Sequence, residues 1–192
     1  MCGRFYMDPE QCEIERLTRE LSGLDYNKGE IFPSNTVPII ENGVAVLAKW
    51  GMSTPFREKG LVINARFETV GTRELFKKSL ISRRCAVAVS GFYEWDKNKN
   101  KFYFTSSQGE ILWLAALLGL GENARNFVVL TTRANDDVKN IHHRMPVLLS
   151  EEQLCKWFGD TEAAMKMLTD GCSPPLISAK SGNQYEQLMF DI

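Results

Sequence analysis

The chain has 192 residues, 44% of them hydrophobic and 24% charged, proportions that exclude a disordered, collagen-like or coiled-coil protein and predict one domain spanning residues 1–192. Lys and Arg number 23 against 24 Asp and Glu, a net charge of −1, so bulk charge gives no sign of a nucleic-acid or membrane partner. The five cysteines, at 2, 12, 85, 155 and 172, are odd in number and form no C-x-x-C, which with an N-terminus lacking any apolar run predicts reduced thiols, no membrane span and a cytoplasmic location.

Asp8-Pro9 predicts an N-cap followed by proline at the first helical position, opening a helix to about Leu21 that Gly23 stops. Short apolar runs predict strands at 44–50, 61–65, 85–89, 111–118 and 127–132. Residues 92–95 and 101–104 flank a polar Asp-Lys-Asn-Lys-Asn turn, a hairpin pattern. Thr72 is placed to cap a short helix through Leu80. Ser150 with Gln153 forms a capping box for a helix to Phe158, and a further helix covers 161–168. Strands dominate the middle without strict alternation with helices, which predicts an α+β fold with mostly antiparallel strands rather than a doubly wound parallel sheet.

Charge is unevenly spread. Residues 57–84 hold eight basic and three acidic side chains, a net of +5, whereas 145–192 carry a net of −4. The first stretch reads either as a solvated helix face or as an anion-binding surface hidden inside a neutral total.

Four places carry reactive side chains. Removal of Met1, which the small second residue favours, leaves Cys2 as an N-terminal cysteine. Its α-amine, with a pKa of about 7.7–8.0, is partly neutral at pH 7. Amine and thiol on adjacent carbons suit capture of an aldehyde as a Schiff base closed to a thiazolidine, or nucleophilic catalysis with the amine as base. In Ile63-Asn64-Ala65-Arg66-Phe67-Glu68-Thr69 an extended backbone puts Asn64, Arg66 and Glu68 on one face. Gly91-Phe92-Tyr93-Glu94-Trp95 sets one carboxylate among aromatic rings, where burial raises its pKa toward that of an acid/base catalyst. Ile141-His142-His143-Arg144-Met145-Pro146 holds both histidines, one predicted to reach a site and one to serve structure; without nearby ligands they make a poor metal site. Each has a plain structural alternative: an inert Cys2, an edge strand with a wet face, a surface glutamate, ordinary core or surface histidines.

Met-Cys-Gly-Arg-Phe at 1–5, Ile-Asn-Ala-Arg-Phe-Glu-Thr at 63–69, Gly-Phe-Tyr-Glu-Trp at 91–95 and Ile-His-His-Arg-Met-Pro at 141–146 together resemble, in order, the motifs of the SOS response-associated peptidase (SRAP) family, abasic-site processing proteins. The resemblance implies a barrel-like core of mostly antiparallel strands with peripheral helices, a monomer, no cofactor and no metal. It implies single-stranded DNA containing abasic sites as the partner, cytoplasmic and nucleoid-associated in a bacterium or nuclear in a eukaryote. It further implies that Cys2, freed of Met1 by self-removal, forms a thiazolidine crosslink with the sugar aldehyde. Asn64 would hold the amine and sugar oxygens, Glu94 would move protons and His142 would assist ring opening. Arg4, Arg66 and Arg144 fall where phosphate contacts are expected. An Asn-x-x-Pro loop at Asn35 and Pro38, and Phe56 in the loop after Trp50-Gly51, add expected DNA contacts; that loop is poorer in aromatics than is usual, and Val37 stands where a small residue is typical. Two other functions fit the residues alone: an N-terminal-nucleophile amidase or peptidase acting on separate substrates, which needs no basic segment, and a non-catalytic reader of single-stranded or modified DNA, which needs no Cys2.

Overall fold

Asn42 and Gly43 take positive φ values of 50° and 81°, the backbone of a two-residue hairpin turn whose twist matches the strands it joins. The turn links β3 (Thr36–Glu41) to β4 (Val44–Trp50) in antiparallel register, and Asn-Gly was a signal for β3 that periodicity alone misses. A computed structural model describes residues 2–53, 60–171 and 173–181.

The remaining strands are β1 (Phe5–Met7), β2 (Gly29–Ile31), β5 (Asn64–Arg66), β6 (Arg84–Val89), β7 (Gly91–Trp95), β8 (Lys101–Ser106), β9 (Leu112–Leu118), β10 (Asn126–Arg133), β11 (Arg144–Pro146), β12 (Leu148–Leu149) and β13 (Leu176–Lys180). The helices are α1 (Cys12–Thr18), α2 (Phe67–Val70), α3 (Glu74–Ser82), α4 (Glu151–Phe158) and α5 (Thr161–Thr169). The expected α+β class holds. One sheet runs β13-β8-β7-β1-β2. The other runs β11-β10-β4-β3-β6-β9-β12, and β10 pairs with β9 as well, which bends this sheet into a partial ring. Pairing is antiparallel except where β10 meets β4 and β5 in parallel.

The core lies between the sheets. Every residue of β6 and β9 is buried, consistent with their continuous apolar runs. Phe5 of the first sheet packs at 4.9 Å on Trp50 of the second, which stacks in turn on Phe127. Trp50 keeps its indole N–H satisfied by donating to the Ile63 carbonyl at 2.9 Å. That bond ties the chain entering β5 to the same core.

Three element expectations are corrected. The first helix starts at Cys12 rather than at Asp8-Pro9, because Ser90 accepts from the Asp8 N–H and the Asp8 carboxylate accepts from the Glu10 N–H, holding Asp8 in a turn against the sheet. Thr72 does not cap α3. Its hydroxyl donates to the Thr69 carbonyl, and Arg73 is the cap residue. The strand expected at 61–65 is instead the short β5 at 64–66, and the chain turns helical at Phe67, so Glu68 leaves the alternating face it was predicted to share with Asn64 and Arg66. The capping box at Ser150 and Gln153 is formed in both directions.

Candidate active site

β1 and β7 are neighbours in antiparallel register, Phe5 opposite Phe92, and this brings the start of the chain beside the Gly-Phe-Tyr-Glu-Trp strand. Gly91 is required there, since a Cβ on it would fall 2.4 Å from the Phe104 carbonyl oxygen and 2.5 Å from the Tyr103 ring. Tyr93 N–H donates to the Arg4 carbonyl at 3.0 Å, fixing residues 2–4 alongside Glu94. Cys2 is fully buried, its thiol donating to the Arg4 carbonyl at 3.7 Å.

Asn64 arrives from the other sheet at the start of β5. Its amide Nδ2 donates to the Cys2 carbonyl at 2.7 Å. Its Oδ1 is buried and accepts no hydrogen bond among the described residues, which leaves a buried acceptor available to a donor.

Glu94 is 2% exposed. On β7 it shares the inward face with Phe92, and burial raises its carboxyl from the usual range to about 7. The physical cause is the one expected of a carboxylate among rings, loss of hydration of the charged form. His142 Nδ1 lies 3.7 Å from Glu94 Oε2. The same nitrogen sits 3.0 Å from the Arg144 N–H and 2.9 Å from the Arg144 carbonyl, so the turn into β11 fixes the ring. Partial burial lowers the His142 pKa, keeping it neutral near pH 7. Cys2 is pushed the opposite way, well above the ordinary thiol range, by burial first and by the nearby Glu94 carboxylate second. The site thus holds a thiol that keeps its proton and a carboxyl poised to gain or lose one. His143 takes no structural place in the core: it is exposed, its ring 4.5 Å from that of His142.

Arg144 is 7% exposed, and Glu68 grips its guanidinium at 2.6 and 3.0 Å while its Nη2 also donates to the Thr131 carbonyl at 2.6 Å. This bidentate pair holds Glu68 below the usual carboxylate range. Both Nη atoms of Arg144 are therefore already engaged by Glu68. Arg66 is exposed. It lines two clefts that share Thr69 as well: one of about 660 Å³ with Arg133, Lys139 and His143, the other of about 680 Å³ with Asn64 and Arg73. The second cleft runs up to the residue that holds Cys2.

The other expected DNA contacts divide. Arg4 lies at the site, paired to Glu30 at 2.9 Å. Asn35 builds its own turn, its Oδ1 accepting from the Phe32 N–H at 2.8 Å. Pro38 is buried within β3, against Ile14, Leu17 and Thr18 of α1. Phe56, Arg57 and Lys59 lie outside the described residues. Within the basic stretch Arg84 is buried and Arg83 is paired to Glu41 at 2.6 Å, whereas Arg133 and Lys139, missed in the sequence because they stand outside that stretch, line the cleft. Among the described residues no group of three or more His, Cys, Asp or Glu side chains could hold a metal ion, and no helix is long and apolar enough to cross a membrane.

Comparison with known proteins gives a consistent result. The chain resembles the abasic site processing protein YoaM of Bacillus subtilis (strain 168), 26% identical over 186 residues covering 82% of this chain and 78% of YoaM. It is 29% identical over 135 residues to the abasic site processing protein YedK of Escherichia coli (strain K12), covering 65% and 61% of the two chains. A solved structure from Bordetella bronchiseptica superposes with a TM-score of 0.77 at 21% identity, covering 95% of this chain and all of that one, and one from Bacteroides thetaiotaomicron with 0.75 at 20%, covering 97% and 94%; these establish the fold. The family model described as SOS response associated peptidase (SRAP) matches residues 1–180, and with the Cys2, Asn64, Glu94 and His142 motifs gathered at one place, the chain belongs to the SRAP family.

Proposed function

We propose that this protein captures abasic sites in single-stranded DNA as a covalent thiazolidine crosslink through Cys2. One observation carries the reading: Asn64 holds the Cys2 carbonyl at 2.7 Å while Glu94, with its raised pKa, lies 3.7 Å from His142. An aldehyde trap needs those parts together, and a structural cysteine needs none of them.

Once Met1 is removed, the α-amine of Cys2 attacks C1′ of the ring-opened sugar. The resulting carbinolamine loses water to give a Schiff base, and a protonated Glu94 supplies the proton that lets hydroxide leave as water. The thiol then adds to the protonated imine carbon, its proton passing to the Glu94 carboxylate, which regains its acid form as the ring nitrogen is left a neutral N–H. A carboxyl near pKa 7 is matched to both directions of transfer. His142, neutral and 3.7 Å from Glu94, relays a proton to the sugar ring oxygen during opening. Asn64 positions the nucleophile and offers its buried Oδ1 to the amine. The Arg66 clefts bring the strand by phosphate contacts that carry no sequence information, which suits a lesion-directed protein.

The test mixes the protein with single-stranded DNA carrying one abasic site. A denaturation-resistant shifted band is expected with wild type, absent with Cys2→Ala and absent with undamaged DNA, and intact mass shows the crosslinked protein without Met1. No band from wild type, or an undiminished band from Cys2→Ala, overturns the proposal.

A further inference from the structure

A single carboxylate oxygen, Oε1 of Glu30, receives two cations: Arg4 Nη1 at 2.9 Å and Lys101 Nζ at 2.8 Å. Glu30 on β2 and Lys101 opening β8 come from strands of one sheet, and Arg4 immediately precedes β1 of the same sheet. Each is partly open to solvent, 24–31% exposed. The guanidinium of Arg4 is also bracketed by aromatic rings. Its Cζ lies 3.5 Å from the centre of the Phe32 ring and 5.8 Å from that of Trp95. Phe32 is 43% exposed, and Lys101 Nζ rests 3.9 Å from the Tyr93 ring.

Two convergent cations within 3 Å of one oxygen have the geometry of an anion site. Here the anion is the protein's own. The rings fix the cations in place whether or not Glu30 stays, because the cation–π contacts do not involve the carboxylate. Ion pairs that remain partly open to water are weaker than buried ones, since water competes for both partners. A phosphodiester can therefore replace Glu30 at small cost. The place is also right: Arg4 is two residues from Cys2, and its carbonyl accepts the Cys2 thiol.

We infer that Arg4 and Lys101 form a backbone-phosphate subsite that Glu30 occupies in the free protein, so that a DNA strand must displace Glu30 to engage it. This rests on the reading that the protein acts on single-stranded DNA, and it adds a built-in competitor that keeps affinity for undamaged strands low. Phe32, exposed beneath the guanidinium, then supports the neighbouring base by stacking.

The experiment measures equilibrium binding of undamaged single-stranded oligonucleotide to the full chain over a salt series, for wild type, Glu30→Gln and Glu30→Gln with Lys101→Gln. Glu30→Gln is isosteric, and its melting temperature reports that the fold persists. Freed from two partly exposed pairs, the single variant is expected to bind roughly three- to tenfold more tightly at low salt. Its slope of log affinity against log salt should steepen by about 0.7, the value for one more neutralised phosphate on a single strand. The double variant should lose most of that gain. Equal or weaker binding by a folded Glu30→Gln, or a gain that survives loss of Lys101, overturns the subsite. Abasic-site capture by wild type is measured beside it: capture without the Glu30→Gln gain removes the subsite alone, while no binding and no capture by any form removes the functional reading with it.

Discussion

Glu94 is a catalytic candidate because its setting is unfavourable. A carboxyl that is 2% exposed on the inward face it shares with Phe92 loses hydration when it ionises, and its pKa rises to about 7 from an ordinary 4.5. The linkage sign follows. Below pH 4.5 folded and unfolded chains are both protonated at this residue. Between pH 4.5 and 7 the unfolded chain gives up the proton first, so the folded state binds more protons and stability falls as pH rises. Above pH 7 the penalty is fully present. Glu94→Gln removes the titration and keeps the shape. We expect a variant whose melting temperature matches wild type near pH 4.5, rises above it through pH 7 and stays above it beyond, while single-turnover capture slows about 10²-fold or more, the usual contribution of a positioned acid/base. Thermal melts across pH 4.5–8 and a quenched crosslinking time course read the two effects. A pH-independent difference in melting temperature would show that Glu94 does not titrate against burial. An unchanged capture rate would remove it from the proton path. The motif made this residue legible, because a carboxylate in an otherwise aromatic strand announces the burial that the structure supplies.

Elements were less legible where a side chain works across the fold. Arg84 belongs by position to the basic 57–84 stretch, yet it points inward from the first residue of β6. Its Nη1 donates to the Leu80 carbonyl at 2.7 Å near the end of α3 and to Thr161 Oγ1 at 2.7 Å at the start of α5, and its Nε donates to the Trp157 carbonyl at 2.6 Å near the end of α4, with Nη2 on Gly159 beyond it. One guanidinium thus satisfies the orphan carbonyls at two helix C-termini and meets their negative dipole ends. Summed charge along a sequence cannot separate such a residue from a surface cation. The same limit hid the true start of α1: Asp8-Pro9 is a sound local start signal, but Ser90, 82 residues away, claims the Asp8 N–H. The capping box of α4 was readable because every partner is within four residues. Arg84→Met should therefore cost about 3 kcal/mol, since it leaves buried carbonyls without donors. Arg84→Lys should recover only part of this, as an ammonium cannot fork to several carbonyls. Urea denaturation midpoints at unchanged m-value measure both. A loss below about 1 kcal/mol for Arg84→Met would mean that water replaces the guanidinium and that the clasp is not structural.

At the scale of the molecule, the site is a junction. Cys2, Arg4 and Glu94 belong to the sheet of β1 and β7, whereas Asn64, Arg66, His142 and Arg144 come with the sheet that holds β5 and β11. The four motifs gave their own residues and order, but not that Phe5 and Trp50 bring the two sheets into register at 4.9 Å. Nor did they reveal that two of the three expected phosphate contacts are already gripped by carboxylates, Arg4 by Glu30 and Arg144 by Glu68. A net charge of −1 coexists with clefts lined by Arg66, Arg73, Arg133 and Lys139 beside Glu68 and Glu74, with Lys139 itself paired to Asp136. Bulk and local electrostatics can be told apart with two single substitutions. Arg66→Ala and Arg83→Ala change the net charge equally. Arg66, however, lines both clefts, whereas Arg83 is paired to Glu41 beside the Ala124 carbonyl, in a separate recess. If the field of the whole molecule governs DNA binding, both variants weaken it alike. If the strand follows the clefts, only Arg66→Ala weakens binding of undamaged single-stranded DNA, and the slope of log affinity against log salt becomes shallower by about 0.7, one phosphate contact on a single strand. Fluorescence anisotropy from 50 to 200 mM salt resolves that difference, and equal slopes for the two variants would move the strand away from the Arg66 clefts.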